Sequence, residues 1–372
     1  MIPNGFRAHL RAVGAVIALL TPVAAAAQAP LTLETAVQAT LARNASLRAA
    51  RAGRDEAAAG VAQARSALFP RVSVSESWQR GDQPVFVFSS LLAARHFAAT
   101  NFAIDTLNHP DPIDFFQTTI GVEHVLFDGG RRRAANDVAA RQREIAQAAV
   151  DEAASGLAVA ATQTFGRIIA VQAAYQASEA GLAAAREDLA RAERRRDAGL
   201  ATDADVLALV VHVADLQQRS IQAAGDGDIA RAELNRLMGG PIDRDFRAVE
   251  PSNIQLDDPA AANLAAMFAE ADAARPEMGR AAASVEIADA GRRQARAGLI
   301  PQLAAQGAFE VSGTRLNDRA SAWLVGGELR WTFSTGGAEL AQITRASAST
   351  VRARAEVDEA RAAVHVEIVS AL

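Results

Sequence analysis

Between Gly130 and Pro241 the chain carries no proline, and from Arg131 to Ala198 nothing interrupts a helical composition. At ~1.5 Å per residue that stretch is a rod of roughly 100 Å, longer than compact domains accommodate. The first convincing reversal is Gly199-Leu200-Ala201-Thr202-Asp203, where Gly199 is placed to end one helix and Thr202 or Asp203 to cap the next. The returning helix reaches about Met238, ahead of Gly239-Gly240-Pro241. A long antiparallel helical hairpin therefore dominates the fold. Half of the residues are apolar but only 5% are aromatic, so alanine supplies most of the apolar content. Small residues suit long helices packed closely and leave few bulky groups for a large globular core, which disfavours a conventional enzyme fold.

The chain also repeats itself. Ala64-Arg65-Ser66-Ala67-Leu68-Phe69-Pro70 matches Ala295-Arg296-Ala297-Gly298-Leu299-Ile300-Pro301. Phe127-Asp128-Gly129-Gly130 matches Phe333-Ser334-Thr335-Gly336-Gly337, and Val150-Asp151-Glu152-Ala153 matches Val357-Asp358-Glu359-Ala360. Three landmarks in the same order, with one change of spacing, indicate an internal duplication. Each copy reads as helix, strand, loop, strand, very long helix. Pro70 and Pro301 stop a helix and start a strand, while Gly129-Gly130 and Gly336-Gly337 turn a strand into a helix. The first copy spans 28–240, a linker 241–261, and the second copy 262–372; the first carries a longer loop, roughly Gly81 to Gln117.

The strands have two unlike faces. Val72, Val74 and Trp78 oppose Ser73, Ser75, Ser77 and Gln79; Leu303, Ala305, Phe309 and Val311 oppose Gln302, Gln306, Glu310 and Ser312. In a fourth strand Trp323, Val325, Leu329, Trp331 and Phe333 alternate with Glu328, Arg330 and Thr332, whereas from Thr118 to Phe127 the phase is blurred by Glu123 and His124. At the amino terminus Arg7 and Arg11 precede the apolar run Ala12 to Leu20 and a cluster of alanines ending at Ala27. Residues 1–27 read as a secretory signal, with the mature chain starting near Gln28. Elsewhere no uninterrupted apolar segment has membrane-spanning length, so strands are expected to enter any membrane, with Trp78, Trp323 and Trp331 at its interfaces. Four strands cannot close a barrel, for which about eight are needed, so several chains must pool theirs.

Other functions find little support. All 38 basic residues are arginine, against 43 acids, and the formal charge of -5 includes no basic block suited to nucleic acid. There are no cysteines, and His96, His109, His124, His212 and His365 show no ligand spacing, so neither metal nor cofactor is expected. No nucleophile motif or phosphate loop appears. Gly225-Asp226-Gly227-Asp228 reads as a polar break within a helix, and Arg194-Arg195-Arg196 as a solvated helix face; Arg131-Arg132-Arg133 follows a strand end, where it could meet headgroups or a lumen.

Leu31-Thr32-Leu33-Glu34-Thr35-Ala36-Val37 with Asn44-Ala45-Ser46-Leu47, then Leu126-Phe127-Asp128-Gly129-Gly130, and finally Ala198-Gly199-Leu200 with Asp205-Val206-Leu207 follow in an order that resembles the TolC-type outer membrane efflux proteins. Pro84-Val85-Phe86-Val87-Phe88 through Asn108-His109-Pro110-Asp111-Pro112 is similar to the extracellular loop of many members of that family. The resemblance covers residues 31–372. It implies a mainly α fold with a small β part: three chains pooling twelve strands in a transmembrane β-barrel, continued by a periplasmic α-barrel. It also implies a passive export conduit served by a periplasmic adaptor and an inner-membrane pump, with the adaptor meeting the tip at Ala198, Gly199, Leu200, Asp203 and Asp205, about 100 Å from the strands. Leu372 aligns with Phe165 of the first copy, so the second hairpin is expected to lack about 75 residues and the corresponding gate. The competing expectation is a trimeric structural or adhesive helical stalk without a bore; frequent alanines and amphipathic strands argue against it.

Overall fold

The computed structural model describes residues 30–250 and 263–372. The signal segment, and the linker beyond residue 250, lie outside the described residues. Contacts divide the described residues into two discontinuous units, one within 30–40 and 161–250 and one within 41–160 and 263–372.

Strand β1 (Pro30–Leu31) leads into α1 (Leu33–Arg43) and α2 (Ala45–Ser66). An unbroken helical pattern was expected here. Asn44 divides it, turning out of helical geometry at ψ 134° and accepting the backbone N–H groups of Ser46 and Leu47 as the N-cap of α2. Next come β2 (Arg71–Gly81), α3 (Pro84–Ala93), a 3-10 turn (Ala99–Phe102), α4 (Ile104–Asn108) and β3 (Ile113–Phe127). The expected long loop is therefore largely helical, and β3 begins five residues before Thr118, because Ile113 to Gln117 pair with Gly81 to Ser77. Helices α5 (Arg131–Asp197) and α6 (Asp203–Leu237) form the long hairpin; after them come β4 (Arg247–Ala248), α7 (Leu264–Ala274), α8 (Pro276–Ala297), β5 (Gln302–Arg315), β6 (Asp318–Arg330) and α9 (Ala338–Ala371).

In the first unit Ala161, Phe165 and Ile168 of α5 pack with Ala36 of α1 and with Ala230, Leu234 and Met238 around α6. This stretch of α5 lies in a helix whose length and composition pass the test for crossing a membrane, contrary to the sequence expectation, since alanine counts as apolar in bulk. Phe165 and Ile168 bury their surface against other helices instead. Helix α6 runs unbroken through Gly225-Asp226-Gly227-Asp228, where a break was expected. Gly227 faces Val171, with which an added methyl would be in ordinary contact, and Asp228 pairs with Arg231 one turn on. Residues 241–250 are more than linker: Arg247–Ala248 pair in parallel with Pro30–Leu31, and the fully buried Asn235 donates to the carbonyls of Ile242 (3.1 Å) and Arg244 (2.7 Å).

The second unit holds an antiparallel sheet in the order β2-β3-β5-β6, with a bulge between Val125 and Phe127 and another irregularity between Ser312 and Arg315. In the same unit Ala271, Met278, Val364 and Ile368 join α7, α8 and α9 in a separate small core.

Candidate functional site

Register turns the alternation of each strand into two continuous surfaces. Val72 pairs with Val122 and Val74 with Ile120; Ile120 also pairs with Phe309, and Phe309 with Trp323. Hence one surface of the sheet is apolar, and the blurred phase of β3 resolves with Phe116, Ile120, Val122 and His124 on it. The other surface carries Ser73, Ser75, Gln117, Thr119, Gln306 and Glu310. Val72, Val74, Trp78, Trp323, Val325 and Leu329 are all more than 60% exposed on the apolar side. At about 1.5–3 kcal/mol for each large side chain, leaving six of them in water costs roughly 10 kcal/mol, comparable with the whole stability of a domain. That surface requires an apolar neighbour.

A belt of charge bounds the apolar band at the end of the sheet where α3 and the β5–β6 turn lie. Glu76, which breaks the alternation of β2, binds the Arg319 guanidinium at 2.8 Å. Arg319 crosses the strands to reach it, donating to the Thr118 hydroxyl at 2.7 Å and lying over the Phe116 ring at 5.7 Å. Asp114 accepts from Arg80 at 2.7 Å and from the Trp78 indole at 3.1 Å. Trp78 thus combines an exposed apolar ring with an indole N–H that has an acceptor. Trp323 is simply exposed, and Trp331 lies just past β6, which ends at Arg330, with its indole donating to Leu299 O at 3.2 Å.

At the opposite end of the sheet the predicted turns come together. Pro70 precedes β2 and Pro301 precedes β5. Gly129 has φ +66°, and a methyl there would stand 3.0 Å from Ile300 Cβ, so both backbone and packing demand glycine. Asp128 is the keystone of this junction. Its carboxylate accepts the N–H groups of Gly130 (3.1 Å) and Arg132 (3.0 Å) and the Arg132 guanidinium (2.9 Å), while Arg132 also donates to Ala67 O (2.9 Å) and to Val125 O. Burial pushes the Asp128 pKa up, but the backbone and side-chain bonds from Arg132 and the bond from Gly130 outweigh it, and the net shift is downward. Within the run Arg131-Arg132-Arg133, Arg132 is the residue that ties this junction together. The second junction is built differently: the Ser334 hydroxyl accepts Ala338 N–H at 3.2 Å, the Ser334 N–H donates to Glu339 at 3.1 Å, and Gly336 and Gly337 (φ +73°) lead into α9.

The hairpin tip is made by two complementary caps. Gly199 (φ +73°) closes α5, with Leu200 N donating to Arg195 O at 2.8 Å and Gly199 N to Arg196 O at 2.9 Å. Thr202, not Asp203, caps α6: its hydroxyl accepts Asp205 N–H at 3.2 Å and Asp205 accepts Thr202 N–H at 3.0 Å. The backbone N–H and the hydroxyl of Thr202 hold the Asp205 carboxyl below its ordinary pKa. Arg196 pairs with Asp197 at 2.8 Å and reaches Asp203 at 4.0 Å. Ala198 lies in the turn, and Leu200 is 70% exposed.

The outer membrane efflux protein family model matches residues 36–240 and 267–372. The chain belongs to that family. It is therefore an efflux-type channel protein of the outer membrane. No curated protein matches it. Among solved structures it is similar to a membrane protein from Pseudomonas aeruginosa (TM-score 0.74, 20% identity, 89% of this chain and 74% of that one). It is also similar to the Campylobacter jejuni CmeC outer membrane channel (0.74, 15%, 88% and 67%) and to the Vibrio cholerae outer membrane protein VceC (0.72, 17%, 91% and 77%). At these identities the likeness is one of fold: mainly helical, with a small sheet.

Proposed function

We propose that three copies of this chain pool their strands in a twelve-stranded barrel and form the passive outer-membrane conduit of a tripartite export system. The observation that carries this is the sheet itself: one apolar surface, one polar surface, and two open edges, β2 and β6, which no strand of the same chain covers among the described residues. An open edge in hydrocarbon leaves backbone donors and acceptors unpaired, at several kcal/mol each, so β6 of one copy must pair with β2 of the next. The strand pairs β2–β3 and β5–β6 each follow a pair of helices, which supports the duplication read from the sequence.

The lumen is lined by serine, glutamine and glutamate, and the conduit needs no catalytic group of its own. The helix-joined end of the sheet faces the periplasm, and the connection 82–112 faces the exterior. The tip formed by Ala198, Gly199, Leu200, Asp203 and Asp205 docks the periplasmic adaptor, through which an inner-membrane pump delivers cargo. Purified protein in a planar bilayer, with its native mass measured, tests this directly. Stepwise ion conductance from a particle of three chains is expected. A three-chain particle that does not conduct would make it a solid stalk instead.

A further inference from the structure

The connection 82–112 is a folded cap with a core of its own. Phe97 packs edge to face with Phe88 (4.8 Å) and Phe102 (5.0 Å), Phe86 meets Phe115 of β3 in the same way (6.3 Å), and Val87, Ser90 and Ala94 are buried. It lies on the polar surface of the sheet. Phe115 and Ser312, which alternation places on that surface, are buried, and Ser312 donates to Ala93 O at 3.4 Å. The charge belt built on Glu76 and Arg319 belongs to the other surface.

One backbone feature aims the cap at the β5–β6 turn. Helix α3 ends in a motif whose closing position normally holds glycine: His96 N donates to Leu91 O at 2.9 Å and Arg95 N to Leu92 O at 3.1 Å. Arg95 occupies that position, at φ +58°, the one left-handed non-glycine among the described residues. Left-handed backbone disfavours a side chain of this kind, and such strain persists where surrounding contacts fix it. The fixing contacts are present. Arg95 donates to Ser321 O of β6 at 2.9 Å, the next side chain, His96, lies 3.4 Å from the Thr314 hydroxyl through Nδ1, and its Nε2 stands 3.2 Å from Asp318 Oδ2.

We propose that this cap is a lid over the mouth of the channel, latched by His96 on Asp318, and that protonating His96 tightens the latch. The inference rests on the conduit reading above. The groups facing His96 are the Thr314 hydroxyl from β5 and the Asp318 carboxylate from β6. Of the neighbouring cations, Arg95 is held at Ser321 and Arg319 at Glu76, while Arg315 closes β5. With the ring protonated the contact is an ion pair; a neutral ring keeps only hydrogen bonds. Both partners are partly exposed, so the pair is screened and shifts the closed population by about two- to five-fold.

Single-channel recording of the full chain, with pH varied on the lid side, is the test. Open probability is expected to fall about two- to five-fold between about pH 7.5 and about pH 5.5. His96→Ala and Asp318→Asn should each abolish the dependence and keep the acidic open probability high. In a chain without other cysteines, His96→Cys with Asp318→Cys, bridged by a short bis-methanethiosulfonate, should shut the pore at either pH until reductant releases it. A pH-independent wild type, a bridged variant that conducts freely, or cysteines that cannot be bridged would overturn the lid. Absence of conductance under every condition, reductant included, would overturn the conduit reading beneath it.

Discussion

At the scale of single residues, Asp128 and Arg132 hold the first strand-to-helix junction. Both side chains are largely buried, so removing one leaves the other without its partner in a poorly hydrated place. Arg132→Ala is expected to cost about 2–3 kcal/mol, read as a lowered melting temperature of the detergent-solubilised protein. Ser334→Ala, at the matching junction, loses one hydroxyl acceptor and should cost about 1 kcal/mol. The Asp128 pKa is lowered in the folded state. Its ionised form therefore adds stability that is fully present above the unfolded value, about 4, and is lost as pH falls through the folded value. Asp128→Asn should be less stable than wild type at neutral pH, and the gap should close below about pH 4. A constant gap across that range would show that geometry, and not charge, accounts for the role of Asp128. None of this is legible in the run Arg131-Arg132-Arg133, because three identical letters conceal one side chain that turns back to the carbonyls of Ala67 and Val125.

Among elements, the helical hairpin is the easiest to read and the cap the hardest. Gly199 and Thr202 announce their caps locally, since each acts on backbone within five residues. Gly199→Ala and Thr202→Ala are each expected to lower stability by about 1 kcal/mol, measured by thermal unfolding, without changing helix content elsewhere. The strands were legible through alternation, but the place of Glu76 was not, because its partner Arg319 lies three strands away across the sheet order β2-β3-β5-β6. The helix break at Asn44 escaped notice for the opposite reason: alanine on both sides sustains a helical pattern that one side chain can interrupt. Pro84-Val85-Phe86-Val87-Phe88 is a β-branched and aromatic run of the kind that suits a strand, yet forms α3, since Phe86 packs on Phe115 and Val87 is buried within the cap. Tertiary contact decided where local pattern could not. An epitope inserted beside Asn108, at the end of α4, should be labelled on intact cells; labelling only after permeabilisation would reverse the sidedness proposed for the cap.

On the scale of the whole molecule, the sheet is a segment that has no closed form of its own. Among the described residues, turns, faces and charge belt are all complete within one chain, whereas the outer edges of β2 and β6 have no partner strand. The length of the helical hairpin could be counted from the sequence, but the number of chains could not, because closure depends on strand tilt and shear that no single chain specifies.

In the three-chain ring proposed above, those two open edges make assembly genetically fragile. If each ring needs three sound copies, a subunit with a defective edge spoils every ring that it joins. Cells expressing equal amounts of wild-type chain and a β6 edge variant such as Val325→Pro, whose proline lacks the N–H that a neighbouring strand requires, should retain only about one fully wild-type ring in eight. Half of the protein would be normal, yet export would fall well below half. A dose curve that follows the cube of the wild-type fraction is expected; a straight line would mean that each chain works alone.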